Sequence, residues 1–144
     1  MRTVIVSGGF DPVHVGHLRL FKEAKKHGDR LIVVVNSDDF LISKKGYFAE
    51  SQDDRRELIQ AFDCVDMVFP AIDKDQTVCA SLAELVRLSD EDDEIIFANG
   101  GDRFLDDIPE VKVCNDLGIK MMFNIGGGKV NSSSKIISDI LERE

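Results

Sequence analysis

The sequence predicts an α/β protein built on a parallel sheet with helices on both faces. Three observations carry that prediction. The apolar runs at residues 3–6, 31–35 and 95–98 are continuous rather than alternating, as strands buried on both faces require. Stretches with helical apolar spacing separate them, so strand and helix alternate along the chain. Two of these runs lead straight into polar turns, Asn36-Ser37-Asp38-Asp39 and Asn99-Gly100-Gly101-Asp102, and the first leads into Gly8-Gly9. Open α/β sheets place their ligands at that carboxyl edge.

Residues 3–6 form the first strand, and Gly8 and Gly9 permit a sharp turn that leaves room for a ligand. A helix begins near Gly16 and His17. An anion at that end meets unpaired backbone N–H groups, the positive end of the helix dipole and the imidazoles of His14 and His17. Leu18, Phe21 and Ala24 share one face of this helix, Lys22, Lys25 and Lys26 occupy the solvated one, and Gly28 stops it. Residues 31–35 are the second strand, and so close a strand, helix and strand imply a right-handed crossover.

Asp39 reads as a helix cap or turn, and residues 40–51 read as irregular. Lys44 and Lys45 beside Gly46 are either clamps for a polyphosphate or part of an ordinary solvated loop. Ser51 caps the next helix, with Asp53 and Asp54 in its first turn and Arg55, Arg56, Leu58, Ile59 and Phe62 following. Residues 65–69 form the third strand, ended by Pro70. Residues 75–88 form an amphipathic helix with Val78, Leu82, Leu85 and Val86 inward, and the acidic run 90–94 is a solvated turn. After the fourth strand comes a short helix at 109–117 stopped by Gly118, and then a fifth strand at 119–125. Gly126-Gly127-Gly128 and the serines 132–134 make a second anion-binding helix start.

The 144 residues suit a single domain, 1–144, and 43% hydrophobic content suffices for a core. A net charge of −9 opposes nucleic acid and anionic membrane surfaces, so a bound phosphate needs a local basic pocket. Cys64, Cys79 and Cys114 form no Cys-x-x-Cys pair, and no leader peptide is expected before the first strand. No apolar run approaches the roughly 20 residues that span a bilayer. A reduced, cytoplasmic protein is the expectation.

The order Gly8-x-Phe10-Asp11-x-x-His14-x-Gly16-His17 resembles the signature of the cytidylyltransferase-like nucleotidylyltransferases. The Gly-x-Gly-x-x-Gly of dinucleotide-binding folds is absent. Ser132-Ser133-Ser134-Lys135-Ile136 is similar to the Ser-Thr-Thr-Lys-Ile element of glycerol-3-phosphate cytidylyltransferases, and Gly100-Gly101-Asp102 to the turn of heptose-phosphate adenylyltransferases. The resemblance covers essentially the whole chain. It implies one Rossmann-like domain with strand order 3-2-1-4-5, a homodimer, and Mg²⁺ carried by a nucleoside triphosphate.

The implied reaction is in-line attack by an acceptor phosphate on the α-phosphorus, with pyrophosphate leaving. His14 and His17 donate to the α-phosphate and its bridging oxygen, while Lys44, Arg55 and Ser132, Ser133 and Ser134 hold the β- and γ-phosphates. Gly9, Phe10, Asp11 and Gly16 line the nucleotide loop. Asp11 either stabilises that loop or helps seat the metal, and Asp102 serves the ribose, the base or the acceptor hydroxyls. Lys45, Lys74 and Lys129 are the acceptor-side candidates. Thr77 and Gly127 stand where the glycerol-phosphate enzymes carry a lysine and an arginine, which weakens glycerol 3-phosphate as acceptor. CMP transfer to a phosphorylated polyol or sugar is favoured, with adenylyl transfer to a heptose-type sugar 1-phosphate and a catalytically silent nucleotide-binding module as alternatives.

Overall fold

The computed structural model describes residues 1–75, 77–100 and 110–125. Five strands form one parallel sheet in the order β3-β2-β1-β4-β5, as expected from the sequence. They are β1 (Arg2–Gly8), β2 (Arg30–Val35), β3 (Met67–Pro70), β4 (Glu94–Gly100) and β5 (Lys120–Ile125). The helices are α1 (Val15–Lys25), α2 (Asp38–Lys45), α3 (Gln52–Gln60), α4 (Cys79–Leu88) and α5 (Val111–Leu117).

Strand alternation sorts the core into two layers. Val4, Val6, Leu31, Val33 and Val35 pack with Phe21, Ala24 and Ile59 from α1 and α3. Ile5, Ile32, Val34 and Phe97 pack on the other face with Leu82, Leu85 and Cys114 from α4 and α5. Complete burial of Phe21, Phe97 and Leu82 is worth about 1.5–3 kcal/mol each, and this drives the helices onto the sheet.

Residues 40–51, expected to be irregular, are in part helical. Ser37 caps α2 through Phe40 N, Asp38 and Asp39 lie in its first turn, and Gly46 ends it with φ of 86°. Leu41 is its one buried residue, so the helix shows no apolar stripe in the sequence and is defined by its caps alone. The remaining differences are at element ends. The third strand runs to Pro70, α4 begins at Cys79 behind a loop that includes Asp75 and Thr77, and α5 begins at Val111.

The α1–β2 connection is fixed against the start of β1. Asp29 N donates to Arg2 O (2.7 Å), and Arg2 N donates to the Asp29 carboxylate (2.8 Å). Asp66 accepts from Leu31 N (2.7 Å) and from Lys25 Nζ, which locks α1 to the base of β2. A Cβ on Gly28 would lie 2.8 Å from both Arg2 O and Val4 Cγ2. Because the first of these is backbone within a strand, Gly28→Ala is expected to lower stability by about 1–3 kcal/mol, read as a fall in the urea midpoint with unchanged m-value.

Candidate active site

The signature lies at the carboxyl edge of the central strand, where β1 leaves the sheet. Phe10 has φ of 52° and turns its ring inward to meet Phe21 at 5.3 Å and His17 at 4.9 Å, both edge-on. A Cβ on Gly8 would sit 2.9 Å from the Phe10 ring, and one on Gly9 would sit 2.7 Å from Leu41 Cδ2. A side chain at either position would force the Phe10 ring or the Leu41 methyl to move, and both residues are buried.

The two histidines cap α1 reciprocally. His14 is the N-cap residue, with φ of −144° and ψ of 178°, and its Nδ1 accepts from Gly16 N at 3.0 Å. His17 Nδ1 accepts from His14 N at 3.2 Å. This is the geometry of a capping box, with imidazoles in place of Ser and Glu. The rings stack 3.8 Å apart with an interplanar angle of 25°. A ring nitrogen that accepts an N–H carries no hydrogen, so each neutral imidazole holds its proton on Nε2.

This arrangement corrects the expectation for the helix start. The Gly16 N–H is occupied by His14, and the His17 and Leu18 N–H groups reach back to His14 O, so imidazole groups stand where bare backbone donors were expected. His14 Nε2 is buried and has no hydrogen-bond partner among the described residues. A buried donor left unpaired costs about 1–3 kcal/mol, which an anion at that point would relieve.

Asp11 and Arg55 hold the loop in place. Asp11 is 1% exposed, and its carboxylate accepts from Ala49 N (2.6 Å) and Glu50 N (2.7 Å). Both oxygens are thus engaged with backbone. Of the two roles open to it in the sequence, this geometry is that of a loop brace. Arg55, expected to grip β- and γ-phosphates, is instead fully buried. Its Nη1 donates to Gly9 O (2.8 Å) and Asn36 O (2.7 Å), its Nε to Glu50 O (2.9 Å), and its Nη2 to Asp38 Oδ1 (2.7 Å). The guanidinium is committed to carbonyls of the scaffold: those of Gly9 and Asn36 lie just past the ends of β1 and β2, and that of Glu50 lies just before α3, where none continues a sheet ladder.

The lysines divide. Lys45 Nζ donates to Asp11 O at 3.4 Å and lies over the Tyr47 ring, whereas Lys44 is exposed and lies over Phe40. Both stand on the last turn of α2 rather than on a loop. Lys74 is exposed on the β3–α4 loop, and Thr77 in the same loop bonds Asp75. Asp102, Lys129, Ser132, Ser133 and Ser134 lie outside the described residues. Two residues absent from the sequence-based set, Asn36 and Asp38, border the signature through Arg55. The Asn-Ser-Asp-Asp turn marked their location, but nothing in the spacing showed that the arginine of α3 binds both.

Among the described residues no three His, Cys, Asp or Glu side chains are grouped to hold a metal ion. With the Asp11 carboxylate engaged as well, these residues do not form a protein cage for Mg²⁺.

The parallel sheet thus delivers paired imidazoles from its central strand to a helix start at the carboxyl edge, where open α/β sheets place their ligands. The chain belongs to the cytidylyltransferase-like family, whose model matches residues 5–138. It is 30% identical over 145 residues to the bifunctional protein HldE of Geobacter sulfurreducens, an alignment that covers 98% of this chain and 27% of HldE. It is 36% identical over 70 residues to the glycerol-3-phosphate cytidylyltransferase of Bacillus subtilis, covering 49% of this chain and 54% of that protein. The chain thus spans about a quarter of the one and about half of the other. Among solved structures, the lipopolysaccharide core biosynthesis protein of Thermoplasma volcanium superposes with a TM-score of 0.71 at 28% identity, covering 91% of this chain and 99% of that one.

Two outcomes follow from the site. Arg55→Met strands the buried Asn36 carbonyl and leaves the partly exposed Asp38 carboxylate without its cation, and is expected to cost about 1–3 kcal/mol in chemical denaturation; a residue that touched only ligand phosphates would leave the midpoint in place. Burial holds His14 below its ordinary value of 6.5, so below that pH the unfolded chain binds a proton that the folded ring resists. The stability that this group contributes is complete above pH 6.5 and is lost as the pH falls through the lower folded value. Urea midpoints taken from about pH 7.5 to about pH 5.5 should fall less steeply in His14→Asn, which keeps the cap acceptor but does not titrate.

Proposed function

We propose that this protein is a nucleotidylyltransferase that moves a nucleoside monophosphate, CMP in the favoured reading, from a nucleoside triphosphate to a small phosphorylated polyol or sugar. The observation that carries the proposal is the histidine pair, two neutral imidazoles whose Nδ1 atoms are engaged by backbone at a helix start, with the buried Nε2 of His14 unpaired among the described residues.

The acceptor phosphate is already anionic near neutral pH, so no residue has to act as nucleophile. The difficulty is to bring two anions together and to stabilise charge at the pentacoordinate phosphorus. His14 and His17 are suited to donate to the non-bridging and leaving oxygens, and the dipole of α1 adds to that field. Arg55 and Asp11 contribute by holding the loop rigid, so that the donors do not reorganise as charge develops. Lys45 supplies positive charge beside the signature, and Lys44, on the adjoining position of α2, is assigned in this reading to the phosphates farther along the chain. Mg²⁺ is assigned to the triphosphate, whose oxygens it prefers to a dedicated protein site. Asp102 and the serines at 132–134 complete the nucleotide site in this reading, with Lys74 and Lys129 on the acceptor side, and the active species is a cytoplasmic homodimer.

The similarity to a glycerol-3-phosphate cytidylyltransferase supports CTP and a polyol phosphate. A second reading, adenylyl transfer to a sugar 1-phosphate, draws support from the Gly100-Gly101-Asp102 sequence and from the match to a lipopolysaccharide core biosynthesis protein.

The test is pyrophosphate release with CTP or ATP and Mg²⁺ over glycerol 3-phosphate, phosphoethanolamine, phosphocholine and several sugar 1-phosphates. Acceptor-dependent release with one nucleotide is expected. His14→Asn should retain the fold and lose roughly 100- to 1,000-fold in kcat, as removal of one transition-state donor does. Unchanged turnover in that variant would remove the histidine pair from the mechanism.

A further inference from the structure

The carboxyl edge of β2 carries a second unpaired polar atom. Asn36 continues the sheet ladder by one residue, since its N–H donates to Gly8 O at 3.0 Å. Beside it, Ala71 N donates to Val35 O at 2.9 Å, so the β3–α4 loop departs next to Asn36. The backbone of Asn36 is fully used, because its carbonyl accepts from Arg55 at 2.7 Å. Its side chain is different. The residue is 7% exposed, Oδ1 is buried, and that oxygen has no hydrogen-bond partner among the described residues.

Alternation along β2 gives the side chain its direction. Leu31, Val33 and Val35 belong to the layer against α1 and α3, and Ile32 and Val34 to the layer that includes α4. Asn36 follows on the latter side, above Val34 and beside Ala71. Apolar packing alone is served there by Val or Leu, whereas a buried amide oxygen without a donor costs about 1–3 kcal/mol. Such a cost is relieved when a ligand brings the donor.

The neighbouring loop restricts what that ligand is. The Asp73 carboxylate accepts from Ala80 N (2.7 Å), Ser81 N (3.3 Å) and Ser81 Oγ (2.5 Å), and Ile72 N donates to Ser81 Oγ (3.0 Å). The first turn of α4 is therefore already occupied by a carboxylate and offers no site for a phosphate. Among the described residues, the Asn36 amide oxygen stands unpaired beside this loop, a neutral acceptor. A neutral amide oxygen matches a hydroxyl, an ammonium is better matched by a carboxylate, and a quaternary ammonium has no N–H to give.

We propose that Asn36 selects the acceptor substrate, its side-chain oxygen receiving a hydrogen bond from a hydroxyl of a phosphorylated polyol or sugar whose phosphate lies toward His14 and His17. This inference rests on the transferase reading above. It makes Asn36 a specificity residue on the acceptor side, with no part in binding the triphosphate.

The experiment compares wild type with Asn36→Leu, using CTP or ATP with glycerol 3-phosphate, its deoxy analogues propane-1,2-diol phosphate and propane-1,3-diol phosphate, hexose 1-phosphates with their monodeoxy forms, and phosphocholine. For the best hydroxylated acceptor, N36L should raise KM roughly 10- to 100-fold with the nucleotide KM unchanged. One deoxy analogue should show the same loss with wild type and little further loss with the variant. The melting temperature of ligand-free N36L should equal or exceed that of wild type, because a buried unpaired group has been removed. A clear fall in melting temperature, or failure to fold, assigns Asn36 a structural role and overturns the proposal. So does an active wild type whose acceptor KM is unmoved by N36L, or one that accepts phosphocholine alone; in both cases the transferase reading stands. A wild type silent with every acceptor and both nucleotides overturns the transferase reading, and this inference with it.

Discussion

The buried guanidinium of Arg55 is the interaction on which the site depends. Parallel strands end by releasing carbonyls into turns, and at this edge the carbonyls of Gly9, Asn36 and Glu50 belong to three segments that share no ladder. One side chain bonds all three, and its charge is balanced by Asp38. Lysine offers a single point of charge and does not reproduce the fork that reaches carbonyls in separate segments. Asp38 in turn accepts from Gln52 N, and Gln52 Nε2 donates to Val35 O, so the first turn of α3 is secured to the end of β2 from two sides. The glycine turn keeps its course because α3 is fixed, and α3 is fixed because its arginine is inside.

From that frame the imidazoles gain their orientation. A serine or aspartate at the start of α1 would cap the helix more simply. With histidines in both capping positions, the nitrogen that caps also determines which nitrogen keeps the proton. Stability and reactivity are thereby coupled in the same rings, since protonation at Nδ1 forfeits the cap. Phe10 adds a third restraint, because its left-handed backbone turns an aromatic edge against His17, in space left open by the missing side chain of Gly8. The signature is thus read physically as a packing requirement at Gly8 and Phe10, a brace at Asp11 and a reciprocal cap at His14 and His17.

The sheet was legible because strands buried on both faces leave uninterrupted apolar runs, and their order followed from the family resemblance carried by the signature. Helix α2 was not, because one buried leucine makes no period, although Ser37, Lys44, Lys45 and Gly46 spelled out both of its ends. The histidine pair was legible as to place and only partly as to role: spacing set two imidazoles at a helix start, but it did not reveal that they would take over the backbone donors. Arg55 shows the general limit. The family resemblance made this arginine a contact for ligand phosphates, and only the tertiary arrangement of three carbonyls and a carboxylate shows that it turns inside. Asn36 is illegible for the converse reason, since an unpaired atom is defined by what its neighbours fail to supply.

An anion-handling site in a chain of net charge −9 also requires that its own carboxylates be neutralised locally. Asp11, Asp38 and Asp73 all stand at the carboxyl edge of the sheet, and each is turned onto N–H donors: the backbone at 49–50, the arginine with Gln52 N, and the first turn of α4. The acidic run 90–94 leads into β4, ending on its first residue, and therefore lies at the opposite edge of the sheet, where Glu94 pairs with Arg2 and Lys120. A sheet strand of seven residues separates the two edges by more than the Debye length of about 8–10 Å at ordinary ionic strength. Surplus charge at one end is screened from the other, and the field at the signature is decided by hydrogen bonds within a few ångströms of it. The acidity of the chain thus sets how it meets other macromolecules, while the placement of Asp11, Asp38 and Asp73 sets how it meets a phosphate.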